Sequence, residues 1–154
     1  MSSENLQAEL QQLSNEMRQF DEYGKQLQVE IETLQSFLIE LTRSKKTLEG
    51  LKEEKKVEET LVQLGSGVMM RVKPLNTKEV YFNVGAGVIV ARKVDDAIAE
   101  ISTRIQQGEK NQSEKIDQLN QVVERIGMLE RKAQTIYQQI QGPSKAQYDP
   151  DLVS

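Results

Sequence analysis

"LVQLGSGVMMRV" (Leu61–Val72) and "YFNVGAGVIVAR" (Tyr81–Arg92) write nearly the same phrase twice, each an apolar run, a Gly-small-Gly break and a second apolar run. Whether these glycines hold a phosphate or turn a chain decides between an enzyme and a scaffold. A dinucleotide site needs a third glycine three residues after the second and a helix directly behind it, whose N-terminus receives the pyrophosphate. Met70 and Val90 stand at those positions and another β-rich run follows. A P-loop needs Gly-Lys-Ser/Thr, a sequence the chain does not contain. A β-hairpin asks only for residues that tolerate positive φ in a tight connection, and Gly65, Gly67, Gly85 and Gly87 supply that.

Outward from these glycines the hydrophobic period is two. Val62, Leu64, Val68, Met70, Val72, Val80, Phe82, Val84, Val88 and Val90 fall on one face, with Gln63, Arg71, Lys73 and Asn83 on the other. This predicts four strands near 60–64, 68–72, 80–84 and 88–92, paired as two hairpins joined by "KPLNTKE". The second face also carries Leu61, Met69, Tyr81 and Ile89. So few residues cannot bury a core alone, and apolar side chains on both faces beside open strand edges predict a shared sheet or barrel with other subunits.

On either side the period changes to that of a coiled coil. Leu6, Leu10, Leu13, Met17, Phe20, Leu27, Ile31, Leu34, Leu38, Leu41 and Leu48 alternate steps of three and four, interrupted at Gly24 and Lys45. A second seam reads Val94, Ile98, Ile101, Ile105, Leu119, Val122, Ile126, Leu129, Ala133, Ile136 and Ile140, broken at Gly108, Gln112 and Lys115. Asp95 is expected to cap this helix and Asp96 to favour its positive end, while Gly142 and Pro143 stop it. Each helix spans roughly 50 residues, about 75 Å at 1.5 Å per residue, so the two can pair along their length. The connector returns the chain, which favours an antiparallel hairpin over parallel pairing of each helix with another chain.

The predicted fold class is therefore mainly α with a small β part: a long antiparallel coiled-coil hairpin bearing two β-hairpins at its turn. Its segments are residues 1–56 (first helix), 57–93 (hairpins), 94–142 (second helix) and 143–154 (a flexible tail). Composition agrees with long exposed helices: of 154 residues, 37% are hydrophobic and only 5% aromatic. A net charge of −4 with mixed signs argues against a nucleic-acid partner, which calls for a basic face. No apolar run approaches the length of a membrane helix, and a cytoplasmic location with no cofactor is expected. The chain has neither Cys nor His. Catalysis would then rest on carboxylates or lysines, and Glu53, Glu54, Glu58 and Glu59 form a charge run that reads as a solvated helix end.

Helix, two glycine-broken hairpins and helix in this order closely resemble the alpha-class subunit of prefoldin, most specifically in "LVQLGSGVMMRV", in "VYFNVGAGVIVARKVDDAI" and in the heptads on both sides. Beta-class subunits have a single hairpin, so the doubled phrase favours the alpha class. The resemblance implies an ATP-independent chaperone, a hexamer of two alpha and four beta subunits. Their hairpins form a double β-barrel platform from which coiled coils hang, grip unfolded protein at their tips and pass it to a group II chaperonin. It implies an oligomer interface at Leu61, Val62, Leu64, Val68, Met69, Met70, Val72, Val80, Tyr81, Phe82, Val84, Val88, Ile89 and Val90. Antiparallel pairing brings Leu6, Leu10, Leu13, Met17, Phe20, Ile126, Leu129, Ile136, Tyr137 and Ile140 to the distal tip as candidate client contacts. Leu6, Leu10, Ile136 and Ile140 are the ones expected to be exposed by fraying. Gly24 and "GEKNQSEK" (Gly108–Lys115) are expected to soften the coil. The rival reading is a structural adaptor that binds one defined partner through a fixed face.

Overall fold

The computed structural model describes residues 2–53 and 58–142. Glu54 of the charge run, the boundary at 56 and 57, Pro143 and the proposed tail lie outside the described residues. The elements are α1 (Ser3–Glu53), β1 (Thr60–Gly65), β2 (Val68–Val72), β3 (Glu79–Asn83), β4 (Ile89–Lys93) and α2 (Val94–Gln141). Mostly helical, with two antiparallel hairpins, the chain has the coiled-coil hairpin fold expected from its periodicity.

The helix α1 starts where Ser2 offers its backbone carbonyl to the Asn5 and Leu6 N–H groups and its hydroxyl to Asn5 N–H at 3.4 Å. No proline interrupts either helix. The helix α2 runs unbroken from Val94 through "GEKNQSEK". Its start also corrects the expected cap: β4 runs directly into Val94, whose N–H donates to Lys78 O at 3.0 Å, and Asp95 already lies in the first turn. Asp95 and Asp96 are placed to favour the positive helix end, and Asp95 takes Lys52 Nζ at 2.8 Å. Gly142, at φ 68°, has the left-handed backbone that closes a helix.

Two compact units make up the chain. One comprises the residues up to Ile31 and from Glu114, and its core is Leu6, Leu13, Leu129, Ala133 and Ile136. Within it Glu9 pairs with Lys132 (3.1 Å), Glu16 with Arg125 (2.8 Å) and Glu30 with Lys115 (2.5 Å). Partners ascend on α1 as they descend on α2, which defines the helices there as antiparallel. Gly24 is no interruption: it is buried in the seam, and a Cβ built on it would meet Val122 and Leu119 at 3.4 and 3.7 Å.

The other unit, Glu32–Ser113, has its core at Leu41, Leu48, Val94, Ala97 and Ile101, with Val80 and Phe82 packed on it. Gly108 is also buried, and a Cβ there would stand 2.7 Å from Leu38 Cδ2. The glycine that reads as a break in the heptad is thus the place where the missing side chain admits Leu38.

The hairpins turn as the Gly-small-Gly spacing requires. Ser66 (φ 49°) with Gly67 (φ 78°), and Ala86 (φ 49°) with Gly87 (φ 74°), give each turn positive φ at two successive residues. Gly65 lies at φ 128°, where the β1–β2 register shifts by a bulge. The second turn closes by Val88 N–H to Gly85 O and Val84 N–H to Val88 O, both 2.9 Å, with Asn83 Oδ1 accepting from Gly85 N–H at 3.0 Å. Val84 and Val88 therefore belong to the turn and not to the strands, a correction to the expected bounds of β3 and β4.

Candidate functional site

Each unit carries one of the two candidate sets of side chains. In the unit of Glu32–Ser113 the strands of the first hairpin are exposed on both faces. Its register pairs Val62 with Met70 on one face and Leu61 with Arg71 and Gln63 with Met69 on the other. Leu61, Val62, Leu64, Val68, Met69 and Met70 are all exposed, and Val72 is half-buried. No core cluster among the described residues includes them.

The second hairpin differs. Val80 pairs with Arg92 and Phe82 with Val90, and these four side chains are half-buried, whereas Tyr81, Ile89 and Ala91 between them face outward and are exposed. The alternation expected from sequence is present, with its inward side on the chain's own helices. Tyr81 hydroxyl donates to Glu79 Oε1 at 3.0 Å, and this bond to a carboxylate raises the phenol's pKa.

In the other unit the apolar seam is closed. Leu6, Leu13, Leu129 and Ile136 are buried, and Leu10, Met17, Phe20, Ile126 and Ile140 are half-buried. Of the ten tip candidates only Tyr137 is exposed, at 57%. Leu6 and Ile136, expected to be exposed by fraying, are buried here, beside the Ser2 cap of α1 and the Glu9–Lys132 pair that crosses between the helices. Sequence reasoning passed over Ile116 (41%) and Val123 (60%), which are exposed and stand seven and fourteen residues apart from one another and from Tyr137. Each directly follows a seam position, so heptad spacing was the signal that could have found this line.

Lys115 occupies a seam position, seven residues from buried Gly108 and seven from buried Val122. Its ammonium donates to Glu30, which also accepts from Gln26 Nε2 at 3.1 Å. The hydrogen bond from Lys115, followed by that from Gln26, holds the Glu30 carboxyl below the usual carboxylate range, and the bond to Glu30 raises Lys115. The hydrogen bond to Asp95 raises Lys52 likewise.

The arrangement is that of a coiled-coil subunit that offers uncovered β-strands at one place and an apolar helix pair at another. A family model described as Prefoldin subunit matches residues 20–139. The chain is 30% identical over 138 residues to prefoldin subunit alpha of Methanococcus aeolicus, covering 87% of this chain and 94% of that protein. It is 34% identical over 113 residues to prefoldin subunit alpha of Archaeoglobus fulgidus, covering 69% and 82%. Its fold is similar to that in the cryo-EM structure of filamentous PFD from Methanocaldococcus jannaschii, with a TM-score of 0.65 at 21% identity over 75% of this chain and 96% of that one. The chain belongs to the prefoldin family of chaperone subunits, in its alpha class.

Proposed function

We propose that the chain is a non-enzymatic subunit of an ATP-independent cytoplasmic chaperone. Its hairpins join beta-class subunits in a hexamer of two alpha and four beta chains, and its coiled-coil tip captures unfolded polypeptide for transfer to a group II chaperonin. The observation that carries the capture step is the apolar surface of the unit formed by the chain ends. Tyr137, Val123 and Ile116 are exposed in one line beside a seam that becomes available wherever the helices part. The uncovered faces of the first hairpin support assembly, since a two-stranded ribbon with apolar side chains on both sides is not stable in water by itself.

Weak contact suits this task. A tip offering roughly 150–200 Å² of apolar area contributes about 4–5 kcal/mol before association costs, which alone is millimolar binding. Several such tips on one unfolded chain raise the avidity through effective concentration, so capture and release need no nucleotide.

The test is aggregation of several unrelated denatured proteins, without ATP, in the presence of the chain assembled with a beta-class subunit. Suppression of all of them at near-stoichiometric ratios is the expected result. Suppression of none, with tight binding of one folded partner instead, replaces the chaperone by an adaptor.

A further inference from the structure

The repeated phrase folds into two hairpins with unequal attachments. Among the described residues the first is held by its own ladder and the Glu59–Arg71 ion pair (3.6 Å). The second is also tied to α2, by apolar packing and by a charge network centred on one carboxylate. Glu100 accepts from Arg104 Nη2 at 2.6 Å and pairs with Arg92 Nε at 3.7 Å, and the Arg104 guanidinium carbon lies 5.7 Å from the centre of the Phe82 ring. Glu100 therefore reaches β4 through Arg92 and β3 through Arg104 and Phe82. Val80 and Phe82 also pack on the core of Leu41, Leu48, Val94, Ala97 and Ile101.

We propose that Glu100 is a positioning residue for assembly: it fixes the second hairpin on the helices so that Tyr81 and Ile89 form a ready-made face for the strands of another prefoldin subunit. This rests on the reading of the hairpins as the assembly surface. Two guanidinium groups converge on Glu100, so removing its charge leaves two cations facing each other and favours release of the hairpin. A strand surface held in one orientation binds more tightly than one that must be ordered on contact. All three charged side chains are between 32% and 40% exposed, so the network is open to screening and its contribution falls with salt.

The test compares the full chain with Glu100→Gln, an isosteric change on a partly exposed helix face. Amide hydrogen exchange is read on each chain alone, and assembly with a beta-class subunit is read by sedimentation at low and high salt. Exchange over 79–93 is expected to rise about fivefold, with 60–72 unchanged, and assembly to weaken by about the same factor at low salt and to converge with the parent at high salt. Unchanged exchange over 79–93 overturns the role of Glu100, whatever happens to assembly. Loosened strands with assembly intact overturn the reading of this hairpin as an assembly surface, and the positioning role with it.

Discussion

Lys115 Nζ lies 2.5 Å from Glu30 Oε2, a cation at a position where the heptad calls for an apolar side chain. Each residue shifts the other, Glu30 downward and Lys115 upward, so the pair contributes to stability wherever both are charged. A depressed carboxylate contributes fully above its unfolded value and loses that contribution as pH falls through the folded one. A raised lysine contributes below its unfolded value and loses it as pH rises through the folded one. The difference in melting temperature between the chain and Glu30→Gln should therefore be largest between the ordinary carboxylate and lysine ranges and shrink on acidification below the former. Identical pH profiles in thermal unfolding would contradict the pairing.

The helical glycines divide by what surrounds them. A Cβ at Gly127 meets nothing within 4 Å, so Gly127→Ala should stabilise the chain by about 1 kcal/mol through helix propensity. At Gly108 the same methyl would stand 2.7 Å from Leu38 Cδ2, and Leu38 must move from its seat. Thermal unfolding should show a higher melting temperature for Gly127→Ala and none of that gain for Gly108→Ala.

Ala86 has a side chain where φ is 49°, a backbone that costs an L-residue about 1 kcal/mol. Ala86→Gly should slow amide exchange in β3 and β4, and Ala86→Val should speed it, because a branched Cβ is less tolerant of that region. A common response of both variants would show that turn strain does not govern the second hairpin.

If the tip contacts clients as proposed, that contact and helix pairing should be separable by substitution. Replacing Leu6, Leu10, Ile136 and Ile140 by Ser removes two buried and two half-buried seam residues, so it should both lower the melting temperature, at about 2–5 kcal/mol for each buried position, and weaken suppression of aggregation. Tyr137→Ser touches an exposed side chain and should leave stability within about 0.5 kcal/mol while still weakening suppression. Undiminished holding by both variants would reject the tip assignment.

Much of this was legible in the residue order. The turns at Gly65–Gly67 and Gly85–Gly87, the strand pairs on either side and the two helices follow from local periods and from backbone needs at single residues. Less legible were the ends of elements, as at Asp95, Val84 and Val88, where one hydrogen bond decides between helix, strand and turn. The candidate site was legible as a set of apolar positions and not as exposures. Leu6 and Ile136 are as well covered as mid-seam residues, whereas Ile116 and Val123 are open to solvent.

The sequence by itself determined that two heptad helices flank two glycine-turned hairpins, and that apolar strands would seek cover beyond their own ribbon. Only the tertiary structure decided that Leu38 fills the gap at Gly108, that Lys115 takes Glu30, and that of two nearly identical phrases the second lies on the helices while the first stands uncovered. Period and propensity are properties of neighbours in the chain. Burial and pairing depend on which distant side chain arrives at each position, and among the described residues Glu100, Arg104 and the core that contains Leu41 and Leu48 serve the second hairpin.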